Sequence, residues 1–214
     1  MRGADRVRKL LIVRPTNSSN AQDGRSFIET ARRGQIVEAA IETLAEVGYA
    51  KTSLTRIAAR AGISQGLISY HFSSKQDLME QVVTEVNADM ERFVEARAGD
   101  ADDHAGTVKA LIEGFVRYCA DRPAGILAVG QIENAEGWAA EARERSIADF
   151  EQLLRGGQEA GEFRSFPTRL MAVTLLAALE AVPGELRAKP ETDPGVYAAE
   201  LAMTFELAVH RTGR

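Results

Sequence analysis

Cysteine is almost missing from this sequence. Cys119 stands alone, so no internal disulfide can form, and the chain reads as the product of a reducing cytoplasm. Long apolar runs are missing too. Nothing approaches the roughly 18 consecutive residues that span a bilayer, so no membrane partner is expected. Leu10-Leu11-Ile12-Val13 is too short for a signal-peptide core and has no small-residue cleavage site behind it. Net positive charge is absent: 26 Lys+Arg against 31 Asp+Glu leave −5, which excludes a uniformly basic nucleic-acid coat. Catalytic constellations are lacking as well. His71, His104 and His210 are scattered, with no paired cysteine or carboxylate at metal-ligand spacing. No GxxxxGK[ST] phosphate loop occurs. The reading is of a protein that is no enzyme and needs no metal or cofactor.

What is present is charge sorted along the chain. Residues 1–80 hold 12 basic and 8 acidic side chains, a net of +4, and residues 81–214 hold 14 and 23, a net of −9. A basic head on an acidic body points the head alone toward a polyanion. Residues 1–25 show no helical period. With Arg2, Arg6, Arg8, Lys9, Arg14 and Arg25 against Asp5 and Asp23, they read as a mobile basic arm. From about Ile28 onward the pattern is helical. Ile36, Ala40, Leu44 and Val47, widened by Val37 and Ile41, form one apolar stripe that Gly48 ends. Ser74 is placed to cap a long helix, with Asp77 folding back in a capping box, and Leu78, Val82, Val86, Met90 and Phe93 form its buried stripe. Gly99 to Asp103 breaks the pattern. Further helices are predicted at about 105–121, 124–131, 137–160, 168–188 and 194–211, with no convincing strand. The expected architecture is all-α, with a helix-turn-helix domain over 26–78 and a helical domain over 79–214.

Leu54 to Ser73 (LTRIAARAGISQGLISYHFS) meets the demands of a helix-turn-helix. Two steeply crossing helices need a small residue where they touch, which Ala58 supplies, and the turn needs a residue tolerant of positive φ, which Gly62 supplies. Ile68 points back into the first helix, and Ile57, Ala61, Ile63 and Leu67 complete a small core. Ser64 is placed to cap the second helix and present its amides to a phosphate. Gln65, Gly66, Ser69 and Tyr70 are left outward, free to meet a groove.

The residues around this motif sharpen it. Gly48-Tyr49, Lys51-Thr52-Ser53, Ile57-Ala58, Ala61-Gly62-Ile63-Ser64, Gly66-Leu67, Tyr70-His71-Phe72, Ser74-Lys75 and Leu78 stand in one uninterrupted stretch. The stretch resembles the DNA-binding domain of the TetR family of bacterial repressors, densely over Arg32 to Leu78 and by architecture alone elsewhere. The resemblance implies an N-terminal three-helix DNA-binding domain followed by a ligand-binding and dimerisation domain. It implies a homodimer on a near-palindromic, double-stranded operator, and a repressor released by a small-molecule effector. Carried over by position, Gln65, Gly66, Ser69 and Tyr70 fall on the recognition helix. Thr52, Thr55 and Arg56 fall near the start of the supporting helix, where phosphates are gripped. His71 and Lys75 fall at a junction that reaches backbone phosphates, and Lys75 in a helix's first turn opposes the macrodipole, which favours an external anion. Ile68-Ser69 departs from the leucine or valine followed by tyrosine of many members, and the smaller, polar Ser69 alters base readout.

For the body, the resemblance implies an effector cavity among Phe93, Phe115, Tyr118, Cys119, Trp138, Phe150 and Met171, with Trp138 foremost. Core packing is the competing role for each, and for Cys119 the default is an inert buried thiol. Glu133 and Glu136 read as solvated carboxylates, with a cationic effector as the alternative. The last two helices read as a dimer surface through Leu170, Val173, Thr174, Ala177, Ala178, Ala181, Tyr197, Leu201, Thr204, Phe205 and Ala208, too apolar for a lone hairpin. Two other functions are open to the sequence: an effector-independent architectural or activating DNA-binding protein, and a helical ligand-binding protein or enzyme whose helix-turn-helix is incidental.

Overall fold

The computed structural model describes residues 27–98 and 102–210; the basic arm expected over 1–25 lies outside them. The described residues form α1 (Phe27–Val47), a 3-10 turn (Tyr49–Lys51), α2 (Leu54–Ala61), α3 (Gln65–His71), α4 (Lys75–Ala98), α5 (His104–Asp121), α6 (Pro123–Glu136), α7 (Ala139–Glu159), α8 (Thr168–Ala188) and α9 (Pro194–Val209). Among these residues the only extended pairing is an isolated antiparallel bridge, Phe163 with His210. No described helix is long and apolar enough to cross a membrane.

Contacts divide the described chain into two compact units, a head of 27–86 with 124–139 and a body of 87–123 with 140–210. The sequence-based boundary near Leu78 therefore differs from the contact-based one. The head extends into α4 and also takes in α6, which the sequence assigns to the body. α6 itself runs past the expected end at 131. It stops where Gly137 adopts φ 78° and Trp138 N–H donates back to Glu133 O at 2.8 Å, a left-handed cap that only glycine adopts without strain.

In the head, Ile36, Val37, Ala40 and Leu44 of α1 are buried as the period requires, together with Ile57, Ala58, Ile68, Phe72, Leu78 and Val82. Thr43, also buried, satisfies its hydroxyl on Ala39 O at 2.6 Å. Ser74 Oγ accepts from Asp77 N–H at 3.0 Å, as a cap should, but the short Asp77 carboxylate reaches Ser73 N–H (2.8 Å) and Ser73 Oγ–H (2.9 Å) instead of Ser74. Arg33 Nη2 donates to Gln81 Oε1 at 3.1 Å and its guanidinium covers the Phe72 ring at 4.1 Å. Arg33 also donates to the His71 carbonyl, so α1, α3 and α4 are tied at one point.

In the body, α8 and α9 both pack on α5. Gly114 lets α4 come close, since a Cβ there would lie 2.9 Å from Val94 Cγ1. The Arg169 guanidinium grips Glu144 through two bonds of 2.8 and 2.9 Å, and Arg143 meets Glu180 at 3.1 Å, so α7 and α8 are joined at their exposed edges. Arg164 ties the segment before α8 to the last turn of α9, its N–H on Val209 O (3.0 Å) and its Nε–H on Ala208 O (2.7 Å).

Candidate functional site

Gly62 ends α2 with φ 66° and ψ 31°, while its N–H and that of Ile63 return to Ala59 O (3.3 Å) and Ala58 O (3.0 Å). Space is not what demands glycine there, since an added Cβ would meet nothing within 4 Å. The left-handed backbone demands it. Ser53 Oγ accepts from Arg56 N–H and Ser64 Oγ from Leu67 N–H, each at 3.2 Å, so both helices of the motif begin with a serine cap. Ile68 anchors α3 to the core with no exposed surface.

The opposite face of α3 is open. Gln65, Gly66 and Ser69 are exposed, and Tyr70 is 73% exposed although it is a large aromatic residue. Among the ring pairs of the described residues, its ring meets that of the neighbouring His71 edge-on, at 5.0 Å between centroids. Thr55, Arg56 and Ser64 are exposed beside it, and His71 is half-buried. Thr55 Oγ donates to Gln65 Oε1 at 2.7 Å.

Two residues sit otherwise than the sequence suggests. Thr52 is buried, 4% exposed, and its hydroxyl donates to Gly48 O at 2.9 Å, so it ties the turn and does not reach outward. Lys75 has an internal partner. Its ammonium lies 3.8 Å from the Tyr49 ring centroid and donates to Tyr49 O at 3.3 Å, so the macrodipole argument for an external anion is met in part within the chain. The Tyr49 hydroxyl donates to Glu136, which is therefore no freely solvated carboxylate. Neither Tyr49 nor Gln131 stands out by period, so the sequence alone does not mark them as functional residues.

In the body, Tyr118, Cys119 and Phe150 are buried, while Phe93, Phe115 and Met171 are half-buried. Trp138, expected with them, is half-buried and belongs to the head. Tyr118 donates to Asp89 Oδ2 at 3.1 Å, and burial with the Asp89 carboxylate raises its pKa. Phe93 is covered by the Arg97 guanidinium at 3.4 Å. A surface cleft of about 500 Å³ is lined instead by Arg97, Gly106, Lys109, Ala110, Glu113, Gly114, Arg117 and Asp121. Among the described residues no group of three or more His, Cys, Asp or Glu is placed to hold a metal.

On α8, Leu170 (64% exposed), Thr174, Ala177 and Ala181 form an outward stripe; Ala178 and Val173 are half-buried. On α9 the large exposed apolar residues are Val196 (63%), Met203 (51%) and Leu207 (71%), none of them singled out by the sequence. Thr204 is exposed, Tyr197, Leu201 and Ala208 are half-buried, and Phe205 is buried within its own chain.

Residues 36–82 match the family described as bacterial regulatory proteins, tetR family. A stretch of 88 residues is 33% identical to the HTH-type transcriptional regulator BetI 1 of Chromohalobacter salexigens, covering 41% of this chain and 44% of that protein. The chain thus spans less than half the length of the curated relatives it matches. In fold it is similar to NalD, the secondary repressor of the MexAB-OprM multidrug efflux pump in Pseudomonas aeruginosa. The TM-score is 0.68 at 21% identity, over 86% of this chain and 100% of that one. It is similar also to the transcriptional regulator FadR from Bacillus subtilis, solved in complex with stearoyl-CoA. There the TM-score is 0.68 at 20% identity, over 83% and 99% of the two chains.

Proposed function

We propose a function from one premise, that the chain belongs to the tetR family of bacterial regulatory proteins: it is a homodimeric transcription regulator, a repressor that leaves a near-palindromic operator when a small molecule binds its body. α3 enters the major groove and reads bases through Gln65, Ser69 and Tyr70, with Gly66 allowing close approach. Arg56, Ser64, His71 and Lys75 hold the phosphates that fix its register, while Thr55 orients Gln65. The observation that carries this reading is the two-sidedness of α3, locked inward by Ile68 while Tyr70 stands uncovered.

The dimer surface is the outward stripe of α8 with Val196, Met203 and Leu207 of α9, a set of apolar side chains that gains by leaving water. The effector is apolar or amphipathic. That class is supported by the half-buried Phe93, Phe115 and Met171 and by the stearoyl-CoA bound to a protein of the same fold. Binding couples to DNA by about 1–3 kcal/mol, which changes operator affinity roughly 5–150-fold. Selection of bound sequences from a random DNA pool tests the reading directly. A palindrome with half-sites about 10 bp apart, or a multiple, is expected. Recovery of no preferred sequence would overturn it.

A further inference from the structure

Tyr49 is held at both ends. Its backbone N–H donates to Gln131 Oε1 at 2.9 Å and its hydroxyl to Glu136 Oε1, both acceptors lying in the last two turns of α6. Its ring face carries the Lys75 ammonium at 3.8 Å, and its carbonyl accepts from the same ammonium at 3.3 Å. Attraction between a cation and an aromatic face grows as water leaves. Here burial lowers the Lys75 pKa against the opposing pull of Glu136, and burial together with Glu136 pushes the Tyr49 phenol up to about 12. The phenol therefore keeps its proton and continues to donate to Glu136. A lysine stem gives up rotamer freedom when it grips an anion, and one already seated has less to lose. The ammonium has three donors and spends one on the carbonyl, so it retains others for a second partner.

We propose that Tyr49 and Glu136 are positioning residues for a DNA phosphate contact made by Lys75. Glu136 fixes the phenol, the ring and carbonyl of Tyr49 fix the ammonium, and the remaining ammonium N–H groups meet the phosphate. This rests on the reading of the head as a DNA-binding surface.

The test uses the full chain, titrated with a mixed-sequence DNA duplex across a salt series. Lys75→Met is expected to weaken binding about tenfold, as for loss of a modest hydrogen bond between charged groups, and to reduce the magnitude of the salt slope by about 1. Tyr49→Phe keeps the ring but cuts the link to Glu136, and it is expected to lose a several-fold part of that affinity, as is Glu136→Ala. Neither is expected to lose more in a Lys75→Met background. Glu136→Gln still accepts from the phenol and is expected to restore binding, and Lys75→Arg, which still stacks on the ring, is expected to keep the slope. If Tyr49→Phe and Glu136→Ala weaken binding equally with and without Lys75, they act through the fold and the proposal fails. It fails equally if they change nothing. Wild-type protein with no salt-dependent DNA affinity would instead overturn the DNA-binding reading itself.

Discussion

Thr55 donates its hydroxyl to the side-chain amide oxygen of Gln65 across 2.7 Å, joining the first turn of α2 to the first turn of α3. The bond uses one of the two acceptor sites on the Gln65 amide oxygen and none of its N–H donors. An amide oriented this way offers two donors to an acceptor edge in the major groove, such as the O6 and N7 of guanine. Thr55→Val frees the amide. Discrimination at the base position read by Gln65 should fall by about 0.5–1.5 kcal/mol, the net worth of one such bond, with mixed-sequence binding unchanged. Competition between the selected site and its single-base variants measures this. Undiminished discrimination at every position would show that the bond does not orient Gln65.

Dimerisation should depend on α9 residues that leave the chain's own core untouched. Leu207 is 71% exposed, so Leu207→Glu costs the folded monomer little. In a two-fold interface the charge occurs twice, and the dimer should weaken by about 3 kcal/mol or more. Sedimentation velocity over a concentration series reads the shift. A variant as dimeric as wild type would remove Leu207 from the interface.

Two glycine-to-alanine changes should have opposite signs. A Cβ on Gly157 would lie 2.2 Å from the ring carbons of the buried Phe163, so Gly157→Ala must displace a core ring and should cost about 1–3 kcal/mol. Gly34, inside α1, has nothing within 4 Å of that position, so Gly34→Ala should stabilise by about 0.5–1 kcal/mol. Urea unfolding of both variants settles the pair, and equal signs would contradict the packing argument.

Burial lifts the Asp149 carboxyl from 3.8 to about 6, against the opposing pull of Arg145. Between those values the folded protein keeps a proton that the unfolded chain has released. Stability therefore falls as pH rises through the window, and the full penalty is present above about 6. Asp149→Asn should remove that slope and stabilise the protein above the window by about 1 kcal/mol, a figure reduced for the half-exposed site. Below the window the two proteins should be alike. Parallel denaturation curves at all pH values would refute the assignment.

Cys119 is buried, and desolvation pushes its thiol up to about 12. Both effects remove the reactive thiolate. A thiol reagent at neutral pH should label native protein only as fast as the body opens, and label denatured protein at once. Rapid native labelling would mean that the helix exposes this residue.

Local signals made the head legible. The stop at Gly62 and the caps at Ser64 and Ser74 act within a few residues of where they stand, and Ile57 and Ile68 can only point inward, which leaves Gln65, Ser69 and Tyr70 outside. Partners distant in sequence were not legible. Glu136 lies 87 residues from Tyr49, and no period links them. Thr52 reads as a phosphate grip until Gly48 O is seen to take its hydroxyl. The outward face of α9 was hidden because the helix is apolar on nearly every side, so periodicity could not tell Phe205, which is buried, from Leu207, which is not.

That α6 belongs to the head has a consequence for the order in which the protein is made. Translation releases Gln65 to Lys75 well before Gln131 and Glu136, and domains generally fold as their residues emerge. In that interval the Tyr49 N–H and hydroxyl lack the α6 acceptors they use in the folded head. A nascent chain stopped before Gln131 carries every proposed recognition residue without the helix that steadies Tyr49. The ribosome thus imposes a delay between the moment the proposed DNA-reading residues exist and the moment their support is complete, and an interrupted product is left with the first and not the second.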